Sequence, residues 1–244
     1  MKIIVDRKNR KYVVHDKEFH TEKGVIPEED IINATVGDVL ETHMGKKFTV
    51  IEPNINDYIE LMKRKCSILL PQDLGLITAF TGIGYGSNIV ESGTGAGSSL
   101  LFFANIVGPE GHVSSYEIRE DFVEIIKENI DGTDFNNITL YNQDVTEGFK
   151  EEDNSIDMVF VDLPKPSEVI MDAYRILKTG GFIAVYTPYV EQFQIVNIVL
   201  GKAGFKHITI REGNVREIEI KNNKTRPNSR MAGHTGYITF ARKI

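Results

Sequence analysis

The chain has one cysteine, no tryptophan and no apolar run long enough to span a bilayer. Cys66 has no intrachain partner for a disulfide, which suits a reducing compartment, and a small buried hydrophobe is its favoured role over a nucleophile. The opening Met1-Lys2-Ile3-Ile4-Val5-Asp6-Arg7-Lys8 meets charge too soon for a secretory signal, so a cytoplasmic protein without a membrane partner is expected. Positive charge is scarce too: 28 Lys and Arg stand against 35 Asp and Glu, a net charge of −7. That balance argues mildly against nucleic-acid binding without excluding it, because charge can be distributed unevenly. Basic patches at Lys63-Arg64-Lys65 and from Lys221 to Arg230 interrupt it, each equally readable as an ordinary solvated face. No internal repeat, low-complexity tract or metal site is read from the chain.

Apolar residues make up 41% of the 244, enough for one large α/β domain and a small appendage. Residues 1–55 read as a small β domain, with strand-like stretches at Arg10 to His15 and Lys46 to Glu52, and Gly24, Gly37 and Gly45 as punctuation. Tyr58, Ile59, Leu61 and Met62 suit a linking helix over 56–66, leaving 67–244 as the main domain. There, Asp73 is expected to N-cap a helix that stops before Gly82. Strands at 88–93, 112–118, 138–143, 156–162 and 181–187 alternate with helices at about 97–107, 120–130, 166–177 and 190–203. That alternation predicts a parallel sheet with crossover helices. Strands at 206–211, 214–221 and 235–243 follow without helices, so the sheet should finish with antiparallel members.

The densest signal is Ile89-Val90-Glu91-Ser92-Gly93-Thr94-Gly95-Ala96-Gly97-Ser98, a strand, three alternating glycines and a helix start. Such a turn brings backbone close to a ligand and offers helix N–H groups, for a dinucleotide or for S-adenosylmethionine (SAM) alike. The acids decide between them. Glu91 ends the first strand, where it can attract an ammonium; Glu117 ends the second, where it can bind both ribose hydroxyls. Gln143-Asp144 closes the third, with Asp144 able to accept from an adenine amino group. Phe122 could cover the adenine or simply pack in the core. Three acids closing three successive strands form the pattern of a SAM pocket, so we expect Glu91, Gly93, Thr94, Gly95, Ala96, Gly97, Ser98, Glu117, Phe122, Gln143, Asp144 and Asp162 to surround SAM.

Asp162 leaves the fourth strand in Asp162-Leu163-Pro164-Lys165-Pro166, which resembles the Asp-Leu-Pro-x-Pro element of the tRNA adenine-N1 methyltransferases acting on T-loop position 58. Nearly the whole chain follows that family's order: His20-Thr21, Gly24, Asp57-Tyr58-Ile59, Pro71-Gln72-Asp73, the glycine turn, Tyr116-Glu117 and Gly233-His234-Thr235-Gly236-Tyr237-Ile238. Three positions depart from it. Leu70 stands where relatives carry an aromatic residue or His, Cys66-Ser67 where they carry Thr-Gln, and Ser167 where many carry Trp.

The resemblance implies a Rossmann-like SAM-dependent methyltransferase sheet, mostly parallel with antiparallel end strands, behind a small N-terminal β domain. It also implies tRNA rather than DNA as nucleic-acid partner, a homotetramer, and S-adenosylhomocysteine as by-product. Asp162 becomes the catalytic residue, accepting from the exocyclic amino group of an adenine flipped out of the T-loop. Leu70, Tyr186, Arg226, Arg230 and His234 become substrate-side candidates, although Tyr186 packs equally well in a core and His234 more readily serves a turn. Two other readings carry less: a non-catalytic RNA-binding subunit, which would lose the glycine turn or the acids, and a corrin-precursor methyltransferase, which leaves the N-terminal β domain unexplained.

Overall fold

Short, glycine-broken segments at the start of the chain make short strands. In the computed structural model, which describes residues 2–221, 223–230 and 232–244, these are β1 Lys2–Asp6, β2 Lys11–Val14, β3 Phe19–Thr21 and β4 Gly24–Ile26. Helix α1 Glu28–Asn33, β5 Val39–Glu41, β6 Lys47–Ile51 and α2 Ile55–Leu61 follow. Strands pair antiparallel in the order β2-β1-β6-β5, with β3-β4 as a separate hairpin. Alternation on β6 buries Phe48 and Val50 and exposes Lys47 and Thr49, and the buried set packs with Ile4, Val14, Ile26, Ile31 and Leu40. Helix α2 starts in a capping box: the Asn54 side chain accepts from the Asp57 N–H while the Asp57 carboxylate accepts from the Asn54 N–H at 2.9 Å.

Two compact units result, residues 1–63 with 131–133, and residues 64–130 with 134–244. The second begins with α3 Pro71–Thr81, β7 Asn88–Ser92, α4 Ser98–Val107, β8 His112–Glu117, α5 Glu120–Asp131, β9 Ile138–Asn142 and β10 Ile156–Val161. It continues with α6 Ile170–Ile176, β11 Leu177–Thr187, α7 Val190–Ala203, β12 Lys206–Glu212, β13 Ile218–Lys221, β14 Lys224–Pro227 and β15 Tyr237–Arg242. The sheet order is β12-β15-β11-β10-β7-β8-β9, parallel from β11 to β9, with β15 antiparallel to both of its neighbours. Helices cover both faces: Leu74, Ile77, Leu100 and Phe103 pack on one side, and Ile170, Ala173, Ile176, Val196 and Leu200 on the other. Being buried on both faces, β10 reads as a near-continuous apolar run.

Four local expectations are corrected. Asp73 does not cap α3: Pro71 forces Leu70 into extended backbone (ψ 157°), so the helix starts there and Asp73 lies inside its first turn. The 166–177 helix is a 3-10 turn, Pro166–Val169, followed by α6. Strand β11 starts four residues early, because Leu177 pairs with Ile156 before the Gly180-Gly181 step. The 214–221 stretch does not join the main sheet: Ile218–Lys221 pairs with Lys224–Pro227 in a separate exposed hairpin.

Candidate cofactor and catalytic site

Parallel strands deliver their carboxyl ends to one rim, and there β7, β8, β9 and β10 bring the predicted acids together. Gly93 follows β7 with φ +86°, and a Cβ on it would lie 1.9 Å from the carbonyl oxygen of Asp162. That glycine is therefore required by the close approach of the chain leaving β10, while Asp162 donates its N–H to the Ser92 carbonyl at 2.9 Å. The rest of the turn is tied to β8. Gly95 donates its N–H to Glu117 Oε2 at 2.9 Å, and the Thr94 hydroxyl bonds Ser115 Oγ at 2.6 Å. Ala96 and Ser98 are buried, and Gly97 caps α4.

The acids differ in how they are satisfied. Glu117 is held on both oxygens, by Gly95 and by the backbone N–H and guanidinium of Arg119. Asp144 Oδ1 accepts from the N–H and hydroxyl of Thr146, which holds its carboxyl below the usual range. Glu91 is fully buried. Ser115 donates to its Oε2 at 2.6 Å while Oε1 has no partner among the described residues. Burial, reinforced by the charges of Asp162 and Glu117, pushes Glu91 up to about 7. Burial does the same to Asp162, also to about 7, and no described residue hydrogen-bonds its carboxylate.

A concavity of about 240 Å³ lies at this rim, lined by Gly93, Glu117, Ile118, Gln143, Asp144 and Leu163 among others. Phe122 is not in its lining: its ring carries the Arg119 guanidinium, 3.6 Å from the centroid, and Ile118 takes the apolar position instead. Ile118, Arg119 and Ser115 were absent from the sequence-based site. Ile118 could have been noticed as an apolar residue directly after a strand-end acid, and in the fold it is 59% exposed.

A second cluster stands beside Asp162. Tyr186, at the end of β11, donates its hydroxyl to the Thr235 carbonyl, and a Cβ on Gly236 would come within 2.4 Å of its ring. Thr235 in turn donates its hydroxyl to Asp73 Oδ1 at 3.0 Å, leaving the buried Asp73 Oδ2 without a partner among the described residues. Burial raises the Asp73 carboxyl, and burial together with the charges of Asp162 and Asp73 pushes the Tyr186 phenol up to about 12. His234 braces the same turn, its ring nitrogens facing Glu212 Oε1 at 2.7 Å and the Pro188 carbonyl at 3.0 Å. Only an imidazolium donates to both, and its pKa is raised accordingly.

The remaining candidates stand elsewhere. Leu70 lines a separate open hollow with Arg64, Cys66 and Ile68. Cys66 is half-buried, its sulfur 3.3 Å from where a Cβ on Gly95 would be. Arg226 pairs with Glu219 on the exposed hairpin, and Arg230 is exposed beyond it. Among the described residues, no cluster of His, Cys, Asp or Glu is arranged to hold a metal ion. Nor is any helix among them long and apolar enough to cross a membrane.

The site fits a cationic nucleoside ligand. Mutually repelling carboxylates, one with an unpartnered buried oxygen, stand beside a turn and a concavity able to take a ribose and base. The sheet and this rim define a Rossmann-like SAM-dependent methyltransferase. A SAM-dependent O-methyltransferase structure from Thermotoga maritima superposes over 100% of this chain and 92% of its own, with TM-score 0.89 and 30% identity. A tRNA (adenine(57)-N(1)/adenine(58)-N(1))-methyltransferase of Methanocaldococcus jannaschii is 35% identical, covering 99% of this chain and 94% of its own. A tRNA (adenine(58)-N(1))-methyltransferase of Thermus thermophilus is 30% identical, covering 99% and 96%. Residues 49–226 match the family described as tRNA methyltransferase complex GCD14 subunit, and the chain belongs to that family.

Proposed function

We infer that this chain transfers a methyl group from SAM to N1 of adenine 58 in the tRNA T-loop. The observation that carries the reading is the buried Glu91, with one oxygen unpartnered among the described residues, sharing a rim with the half-buried Asp162 carboxylate beside Tyr186. Glu91, the 93–97 turn, Glu117, Gln143 and Asp144 would hold SAM, with Ile118 rather than Phe122 over its adenine. The sulfonium supplies an already activated methyl group.

Adenine N1 has an in-plane lone pair and no proton, so no general base is needed to make it a nucleophile. Asp162, as carboxylate, accepts from the exocyclic amino group, which orients the base and offsets the positive charge that develops on the ring. Tyr186, fixed by Thr235 and Gly236, walls the base pocket. Arg226, Arg230 and His234 are candidates for phosphate contacts, although Arg226 and His234 are already paired with Glu219 and Glu212. The exposed Val190, Ile195 and Ile198 of α7 and Ile218 and Ile220 of the hairpin support self-association into the homotetramer, and a cytoplasmic place agrees with a tRNA substrate.

The test is incubation with labelled SAM and unmodified tRNA, followed by mapping of the methylated nucleoside. Label on N1 of adenine 58 is the expected result. Label on a ribose oxygen would replace the reading, and no label with no SAM binding would make the chain a non-catalytic subunit. In tRNAs carrying adenines at 57 and 58, the same map shows whether Leu70, which presents no ring, accompanies methylation at both.

A further inference from the structure

The first unit carries a feature that methyl transfer does not use. The turns after β1, β3 and β5 surround a concavity of about 810 Å³, lined by residues 6–8, 10, 12, 19–23 and 44–47. Six cations line it, Arg7, Lys8, Arg10, Lys23, Lys46 and Lys47, in a chain whose acids outnumber its bases 35 to 28. Only two acids, Asp6 and Glu22, share the lining. Asp6 is already consumed: it accepts from the Lys8 and Arg10 backbone N–H groups and pairs with the Arg10 guanidinium at 2.8 Å and Lys46 at 3.5 Å. Arg7, Lys8 and Lys23 are exposed and have no ion-pair partner among the described residues. The half-buried rings of Tyr12 and Phe19, 5.5 Å apart, form an apolar wall, and the Lys46 ammonium lies 5.6 Å from the Tyr12 centroid.

Unpaired cations on two turns, with the paired Arg10, Lys46 and Lys47 beside them around one open hollow, suit a run of spaced anions. We propose that this groove binds the sugar-phosphate backbone of the tRNA. The proposal rests on the tRNA reading above. Charge complementarity selects the occupant: a polyanion releases counterions on meeting these cations, whereas a second copy of this acidic chain brings mixed charge. Contacts of this kind fix where the RNA lies and carry no base preference.

The test is the triple variant Arg7→Glu, Lys8→Glu, Lys23→Glu, made at exposed positions so that folding is preserved, which its unfolding temperature verifies. It should weaken filter binding of full-length tRNA by about tenfold or more at moderate salt and shrink the log-affinity against log-salt slope by about 2–3. SAM affinity should stay within about twofold, the loss should fall on KM for tRNA, and Arg7→Lys, Lys8→Arg, Lys23→Arg should restore it. Unchanged tRNA affinity and salt slope would overturn the proposal. So would unchanged affinity with an altered oligomeric mass, which would make the groove a contact between copies. Binding is read without turnover, so a wild-type protein that binds tRNA through this groove yet methylates nothing refutes the catalytic reading and leaves the groove standing.

Discussion

Asp6 in the first unit and Asp162 in the second are the same side chain under opposite regimes. Burial alone would raise Asp6, but the Arg10 guanidinium and the backbone N–H groups of Arg10 and Lys8 outweigh it and hold the carboxyl far below its usual range. Asp162 lacks such partners, and in Glu91 burial outweighs the Ser115 hydroxyl that donates to it; both rise to about 7. A carboxylate that stabilises structure is surrounded by donors. At the methyltransferase rim Glu117 and Asp144 are likewise held by donors, whereas Asp162 and Oε1 of Glu91 keep acceptor capacity that a sulfonium, an ammonium or an exocyclic amino group can use.

The sharpest way to break this contrast is Asp162→Ala. It should lower kcat by about 10²–10³-fold while SAM affinity stays within a few-fold. Turnover equal to wild type would remove Asp162 from catalysis. Next is Gly93→Ala, whose Cβ meets the Asp162 carbonyl in a left-handed backbone. Overpacking and strain should cost about 3 kcal/mol and lower the unfolding temperature by roughly 10 °C. A stable, active variant would show that β7 and β10 can separate.

The two regimes also predict opposite pH slopes. Glu91 and Asp162 titrate near 7 when folded but near 4 in the unfolded chain, so the folded state holds extra protons between those values. Stability should be greatest below that window and fall as pH rises through 7. Denaturant midpoints at pH 5 and pH 8 measure this, and Glu91→Gln should remove its share of the slope. A pH-independent difference between variant and wild type would contradict the burial argument.

Asp6→Asn should have the smallest effect and the reverse sign. A depressed carboxyl stabilises above its ordinary pKa, and the gain is lost as pH falls through its folded value. The variant should therefore melt below wild type at pH 7, and the two curves should converge toward strongly acidic solution. Equal melting at pH 7 would mean that the Arg10 and Lys46 contacts contribute nothing.

Much of the second unit was legible in the sequence because parallel strands are continuous apolar runs, and acids placed at their carboxyl ends must share a rim. Glu91, Glu117, Asp144 and Asp162 met there for that reason. Phe122 stayed open in the sequence between covering an adenine and packing in the core; in the fold its ring is buried beneath the Arg119 guanidinium, a placement the helical pattern does not encode. Asp73 was mistaken for a cap because cap chemistry is local, whereas its partner Thr235 lies 162 residues away. The 214–221 stretch has strand composition, yet composition does not choose between the main sheet and a private hairpin.

The sequence by itself determined the order of strands and helices, the glycine turn and the rim on which the acids stand, since these follow from periodicity and connectivity. Only the tertiary structure decided which carboxylates are paired, which keep a proton near neutral pH, and why Gly93 has no side chain. Those properties depend on burial and on contacts between residues far apart in the chain. The same holds for the basic groove, whose cations come from three separate turns and become one surface only when β1 to β6 assemble.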